Sequence, residues 1–282
     1  MNLEVCDMTV KHGNKVKEAH DLVKQYIGKN TKVEGEENAA RIKRVDEAYL
    51  PILIKDNNVA VAPDFHGPFW DRKLESCLYK VGDDYEIDTL IIPGDFFDCD
   101  NYTSFLKMTY IESFQEELKH MKVLMERLGN HFRNIYFCRG NHEKRWLQMN
   151  KGLVDIENLF SLLKSKVNYK VTLDDHIFLN SGHEMWRLSH PTNFSPCPLS
   201  VASRLADKHH MNILSAHGHQ FAQGYDKSGD YQIVDGGGMF DVQQIEYLRN
   251  TTCYPSVHSG FYLIQDGDAY PFPGKNVNGR YR

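Results

Sequence analysis

Five short segments carry side chains that could hold metal ions: Asp64-Phe65-His66, Gly94-Asp95-Phe96-Phe97-Asp98, Gly140-Asn141-His142-Glu143, His190, and His217-Gly218-His219. On an extended chain, residues i and i+2 point the same way, so Asp64 and His66 can converge on one ion. Alone, each segment reads as a turn or a helix cap. As an ordered set of carboxylates, imidazoles and an amide, they are the donors a divalent transition metal takes.

What precedes each segment gives the set its meaning. Asn58-Val-Ala-Val-Ala-Pro63, Asp88-Thr-Leu-Ile-Ile-Pro93 and Ile135-Tyr-Phe-Cys138 are apolar runs bounded by turn residues, the pattern of buried strands. Met185–Ser189 runs into His190, and Met211–Ala216 runs into His217. Groups at the carboxyl ends of neighbouring strands share one rim, where open α/β sheets bind ligands. Helices are predicted near Arg72–Val81, from Ile111 through Leu128 with Gly129 ending it, around Leu159–Leu163, over Pro198–Lys208, and near Val242–Leu248. His176–Asn180 and Met185–Ser189 read as a hairpin, and Tyr231–Val234 and Gly260–Ile264 as later strands. Tyr270-Pro-Phe-Pro-Gly-Lys reads as a poorly ordered tail. Strand–helix alternation followed by hairpins suggests two packed sheets with helices outside, an α/β architecture. Residues 1–50 read as a helical N-terminal extension, with Val16, Leu22 and Ile27 on one face, preceding a main domain over 51–282.

The ordered series Asp-x-His, Gly-Asp-x-x-Asp, Gly-Asn-His-Glu, His, His-x-His resembles the calcineurin-like metallophosphoesterase superfamily over about residues 58–265. The resemblance implies a four-layer α/β/β/α sandwich with two divalent metal ions at the strand ends. By motif, Asp64, His66 and His219 would hold one ion. Asn141, His190 and His217 would hold the other, and Asp95 would bridge them. His142 would act as the acid or charge-stabilising histidine, oriented by Asp98. One motif departs from the family: Ala216 stands where a glycine usually precedes His-x-His. His183, in Gly182-His183-Glu184, competes with His190 for the single-histidine role, but sits where the hairpin should turn. His209-His210 reads as a solvated helix end. Arg139, Lys144 and Arg145 flank the Gly-Asn-His-Glu segment and read as solvated cations.

The implied reaction is dinuclear-metal-dependent hydrolysis of a phosphate mono- or diester by in-line attack of a metal-bound hydroxide. Two carboxylates against two divalent cations leave the loaded site at about +2, able to attract phosphate locally. Mixed N/O donors suit Mn, Fe, Zn or Ni, and the resemblance favours Mn. The substrate is left open and includes nucleotides and nucleic acid. Asp98-Cys99-Asp100 differs from the Asp-Arg-Gly of the protein phosphatases, and Asp98 replaces the histidine of the double-strand-repair nucleases. Gly-Asn-His-Glu-Lys-Arg with His-Pro-x-Asn is more similar to small bacterial or bacteriophage members. The alternative is a binding or scaffold module that keeps the fold without hydrolysis.

Composition bounds these readings. The 282 residues carry 33 Lys+Arg against 38 Asp+Glu, a formal charge of −5, which argues against a general nucleic-acid coat or a polybasic membrane binder. The mean hydropathy of −0.52 and the lack of any apolar run near twenty residues exclude a helical membrane span. Six scattered cysteines without a Cys-x-x-Cys pair, and no apolar leader-like stretch near the N-terminus, lead to an expectation of reduced thiols in the cytoplasm.

Overall fold

Val59 and Val61 point to one side of their strand and Ala60 and Ala62 to the other, and all four are buried. A strand covered on both faces must lie between two apolar layers. The computed structural model, which describes residues 51–103, 112–151, 153–245, 257–276 and 280, has that arrangement. Two six-stranded sheets pack face to face.

The first sheet contains β2 (Asn58–Val61), β3 (Thr89–Pro93), β4 (Asn134–Cys138) and β5 (Tyr169–Thr172). These four run parallel, and β11 (His258–Gln265) and β12 (Asp268–Asn276) join antiparallel beside β2. The second sheet contains β1 (Leu53–Lys55), β6 (His176–Ser181), β7 (Glu184–Ser189), β8 (Asn212–Ser215), β9 (Phe221–Tyr225) and β10 (Gln232–Gly236). Its order is β1-β6-β7-β8-β10-β9, with β7 parallel to β8. Between the sheets lies an apolar layer that includes Val59, Val61, Ile91, Leu179, Trp186 and Leu188.

On its outer face the first sheet carries α1 (Arg72–Asp84), α2 (Phe114–His131), α3 (Asn141–Met149) and α4 (Ile156–Ser161). Ala60, Leu90 and Ile92 meet Leu74, Leu124 and Phe160 in that layer. The second sheet is covered by α5 (Ser200–His209), through Ala202 and Ala206 against Ile213 and Ile233. The molecule is therefore the expected four-layer α/β/β/α sandwich. Among the described residues, no helix is long and apolar enough to cross a membrane.

Local chemistry sets the helix starts. Asp71 caps α1 by accepting from Lys73 N and Leu74 N, and Ser113 with Glu116 forms a capping box on α2. The predicted hairpin is β6–β7, with Gly182 and His183 at its turn.

Several expectations need correcting. Gly129 does not end α2, which runs on to His131; its missing side chain admits Val167, whose Cγ2 would lie 2.4 Å from a Cβ. The presumed tail 270–275 is the edge strand β12, where a proline's missing N–H does no harm. Helix α3 begins inside the Gly-Asn-His-Glu segment, and β1, β5 and β9 lack the apolar, buried runs that mark β2 and β3. Residues 1–50, Ile111 and the stretch 246–248 lie outside the described residues.

Candidate metal centre

Because β2, β3 and β4 are parallel neighbours, Asp64–His66, Asp95–Asp98 and Asn141–His142 emerge from one edge of the first sheet. Parallel β7 and β8 deliver His190 and His217–His219 from the second sheet. The chain turns abruptly there: Asp64 (φ 50°), His66 (φ 46°), Asp95 (φ 48°), His217 (φ 71°) and His219 (φ 53°) all occupy the left-handed region. For non-glycine residues this costs about 1–3 kcal/mol each and clusters at functional sites. Backbone bonds hold the turns together, His66 N donating to Asp95 O at 2.9 Å and Ala216 N to Ser189 O at 2.9 Å. Ala216 itself is not among the residues with positive φ, so the family glycine is not needed at that position. Gly140 is needed: a Cβ there would lie 2.1 Å from Asp95 Oδ1.

All nine candidate residues converge. Asp64, His66, Asp95 and His219 offer ligand atoms within 4.8 Å of one another, as do Asp95, His190 and His217, so Asp95 is common to both groups. His190 Nε2 lies 3.3 Å from Asp95 Oδ2 and 2.8 Å from Asn141 Oδ1. His66 Nε2 lies 3.0 Å from His219 Nε2 and 3.8 Å from Asp95 Oδ2. His142 Nε2 faces the same Asp95 oxygen at 3.8 Å.

The outward nitrogens of these rings are held from behind. His190 Nδ1 donates to Pro93 O at 3.1 Å, and His142 Nδ1 donates to Asp98 O at 2.6 Å. His66 Nδ1 meets Asp98 Oδ1 at 2.9 Å. Each such bond fixes the tautomer, turning Nε2 of each ring toward the centre.

Electrostatics follow from burying so many polar groups. Burial pushes the Asp64 carboxyl up to about 7, with His190 and His66 opposing and Asp95 adding to the rise. For Asp95 burial is outweighed by His142, His190 and His66, and the carboxyl is held well below its usual range. His190 is pushed up to about 10: burial opposes the rise, and Asp95 and Asp64 drive it. His217 falls to about 4 and His219 well below its ordinary value, through burial and the neighbouring imidazoles. The shifts thus favour charge on Asp95, His190 and His142 and neutrality of His217 and His219.

Asp64 Oδ1 and Asp95 Oδ2 are fully buried and accept no hydrogen bond. Buried carboxylate oxygens are normally satisfied. Two orphaned oxygens set among imidazole nitrogens are what a pair of divalent cations would complete, so the donor set fits the implied ions.

Two residues outside the predicted ligand set also matter. Glu143, from the Gly-Asn-His-Glu segment, accepts from Asp95 N, Phe97 N and Gly140 N at 3.0–3.1 Å. Glu117 on α2 accepts from Asp98 N and Cys99 N. Arg145 places Nη1 3.1 Å from His142 Nδ1 instead of lying free in solvent. His183 is exposed at its turn, away from the cluster. A separate group, Asp174, Asp175 and His176, is neutralised internally, His176 Nδ1 lying 2.9 Å and Arg187 Nη2 3.1 Å from Asp175 Oδ1.

The family model for calcineurin-like phosphoesterases matches residues 58–252. Similar solved structures include a single mutant of Vps29 from Entamoeba histolytica, at 13% identity and a TM-score of 0.43, covering 80% of this chain and 96% of that chain. Vps29 from Chaetomium thermophilum is similar at 14% identity and a TM-score of 0.43, covering 80% of this chain and 94% of that chain. No curated protein matches in sequence.

Proposed function

Because the chain belongs to the calcineurin-like phosphoesterase family, we propose that it hydrolyses phosphate mono- or diesters with two divalent ions, nucleotides or nucleic acid being the substrate class to try first. The observation carrying this reading is the pair of orphaned carboxylate oxygens, Asp64 Oδ1 and Asp95 Oδ2, buried among histidines from both sheets. In this assignment Asp64, His66 and His219 would hold one ion, Asn141, His190 and His217 would hold the other, and Asp95 would be shared. When bound, the ions supply positive charge to the phosphate oxygens and lower the pKa of water. Manganese is the ion of choice here, with Fe, Zn and Ni as chemical alternatives.

The chain's own residues do the rest. Asp95 and Asp64 set the negative charge that retains the cations in a protein of net charge −5. His142 Nδ1–H is committed to Asp98 O, so Nε2 is the atom free to carry a proton toward the leaving oxygen. Asp98, whose Oδ1 lies 3.2 Å from Nδ1, is a negative neighbour that favours the protonated ring an acid must start from. Asp98 steadies both His66 and His142 and has no need to touch substrate. Residues 51–282 form the catalytic domain in this reading, with 1–50 as an extension, and the scattered cysteines fit a reducing cytoplasm.

The test is a substrate panel on Mn-loaded protein: a simple phosphomonoester, a phosphodiester, cyclic nucleotides, dinucleoside polyphosphates, and single- and double-stranded DNA and RNA. Turnover of at least one, lost on chelation, is expected. Metal-loaded protein that cleaves none of them would refute the reading.

A further inference from the structure

The loop from Gly94 to Cys99 carries both Asp95 and Asp98, and four of its backbone N–H groups end on two buried carboxylates. Glu143 takes Asp95 N and Phe97 N, and Glu117 takes Asp98 N at 3.0 Å and Cys99 N at 2.9 Å with a single oxygen, Oε1. Glu143 adjoins the candidate ligands in the chain. Glu117 belongs to none of the ligand-bearing segments and comes from α2, which is otherwise a packing helix. It is 2% exposed, and no cation among the described residues pairs with it. A buried carboxylate without a counter-ion is expensive unless its hydrogen bonds matter. Those bonds reach a turn whose Cys99 has φ 51°, a strained conformation that Glu117 supports together with the bond from Asp98 N to Gly67 O at 3.1 Å.

We propose that Glu117 is a positioning residue for the metal centre, acting through Asp98. Asp98 stands between it and two histidines: its Oδ1 lies 2.9 Å from His66 Nδ1 and 3.2 Å from His142 Nδ1, and its carbonyl takes His142 Nδ1–H. Moving the Asp98 turn therefore moves one candidate metal ligand and the candidate acid together. What Glu117 supplies is an acceptor at a fixed place, which a neutral amide oxygen can also supply. The inference rests on the phosphoesterase reading for its kinetic consequence and on the geometry alone for its metal-binding consequence.

The experiment compares full-length Glu117→Gln, Glu117→Leu and Glu117→Asp with the parent, using calorimetric Mn²⁺ titration of metal-stripped protein, kcat and KM on the best ester, and thermal melting. Glu117→Gln should keep affinity and kcat within about threefold. Glu117→Leu should lose about 10–100-fold in affinity for one of two ions and a similar factor in kcat, with KM little changed. If Glu117→Leu does not fold, Glu117→Asp decides by the same readings, since its shortened side chain cannot reach both N–H groups. A folded Leu or Asp variant with parental affinity and kcat would overturn the proposal, as would a Gln variant impaired as deeply as the Leu variant. A parent that binds two Mn²⁺ and cleaves nothing would sink the phosphoesterase reading alone, and the titrations would still decide for or against Glu117.

Discussion

Val59 and Val61 on β2 lie in the layer between the sheets with Leu179, Trp186 and Leu188, every one fully buried and apolar. Three residues beyond Val61, Asp64 is equally buried, is bent into the left-handed region and has an oxygen with no hydrogen bond. The two regions share strands and are equally dry, yet one satisfies every packing rule and the other breaks several at once. The layer between the sheets explains itself as stability. The rim costs stability instead, and strain and orphaned polar atoms of this kind cluster at functional sites.

Perturbing the rim and the layer separately should therefore give separable losses. The largest effect is expected from Asp95→Ala, which removes the carboxylate common to both ligand groups: metal analysis should fall from two ions to one or none, and turnover should vanish. Two tightly held ions in that variant would break the assignment. His142→Ala should lower kcat by about 10²–10⁴-fold while leaving two ions bound, read by single-turnover kinetics beside metal analysis. In the layer, Leu188→Ala should cost about 2–5 kcal/mol in denaturant unfolding and leave metal stoichiometry unchanged.

The smallest effect concerns a buried carboxylate outside the rim. Asp235 is 8% exposed, accepts Leu199 N at 2.5 Å, and is pushed by burial up to about 6. The folded state holds that proton more tightly than the unfolded chain, whose carboxyl titrates near about 3.9. The Asp235 contribution to stability should therefore be fully present below about pH 4 and be lost as pH rises through about 6. Asp235→Asn should remove that share of the pH dependence and gain about 1–3 kcal/mol relative to the parent above pH 6, measured by melting both proteins across pH. A variant with the parent's slope would show that Asp235 is better solvated than its burial implies.

The same division governs what the sequence reveals. Strands β2, β3 and β4 are legible because both faces are buried and the runs are almost wholly apolar. The candidate ligands are legible because His and Asp at strand ends have few other reasons to recur in order. Strand β12 is hidden by Pro271 and Pro273, which an edge position tolerates. Helix α3 is hidden because its first turn is also the turn that carries Asn141 and His142. Glu117, and the role of Glu143 within its motif, are hidden for a deeper reason: both bind backbone N–H groups, and a backbone partner leaves no mark in residue type or spacing.

The most direct measurement is anomalous diffraction from crystals grown with Mn²⁺. Two peaks about 3.5–4 Å apart are expected, one among Asp64, His66 and His219, the other among Asn141, His190 and His217, with Asp95 between them. A map with no peak at the rim, or with manganese bound only elsewhere on the molecule, would contradict the account.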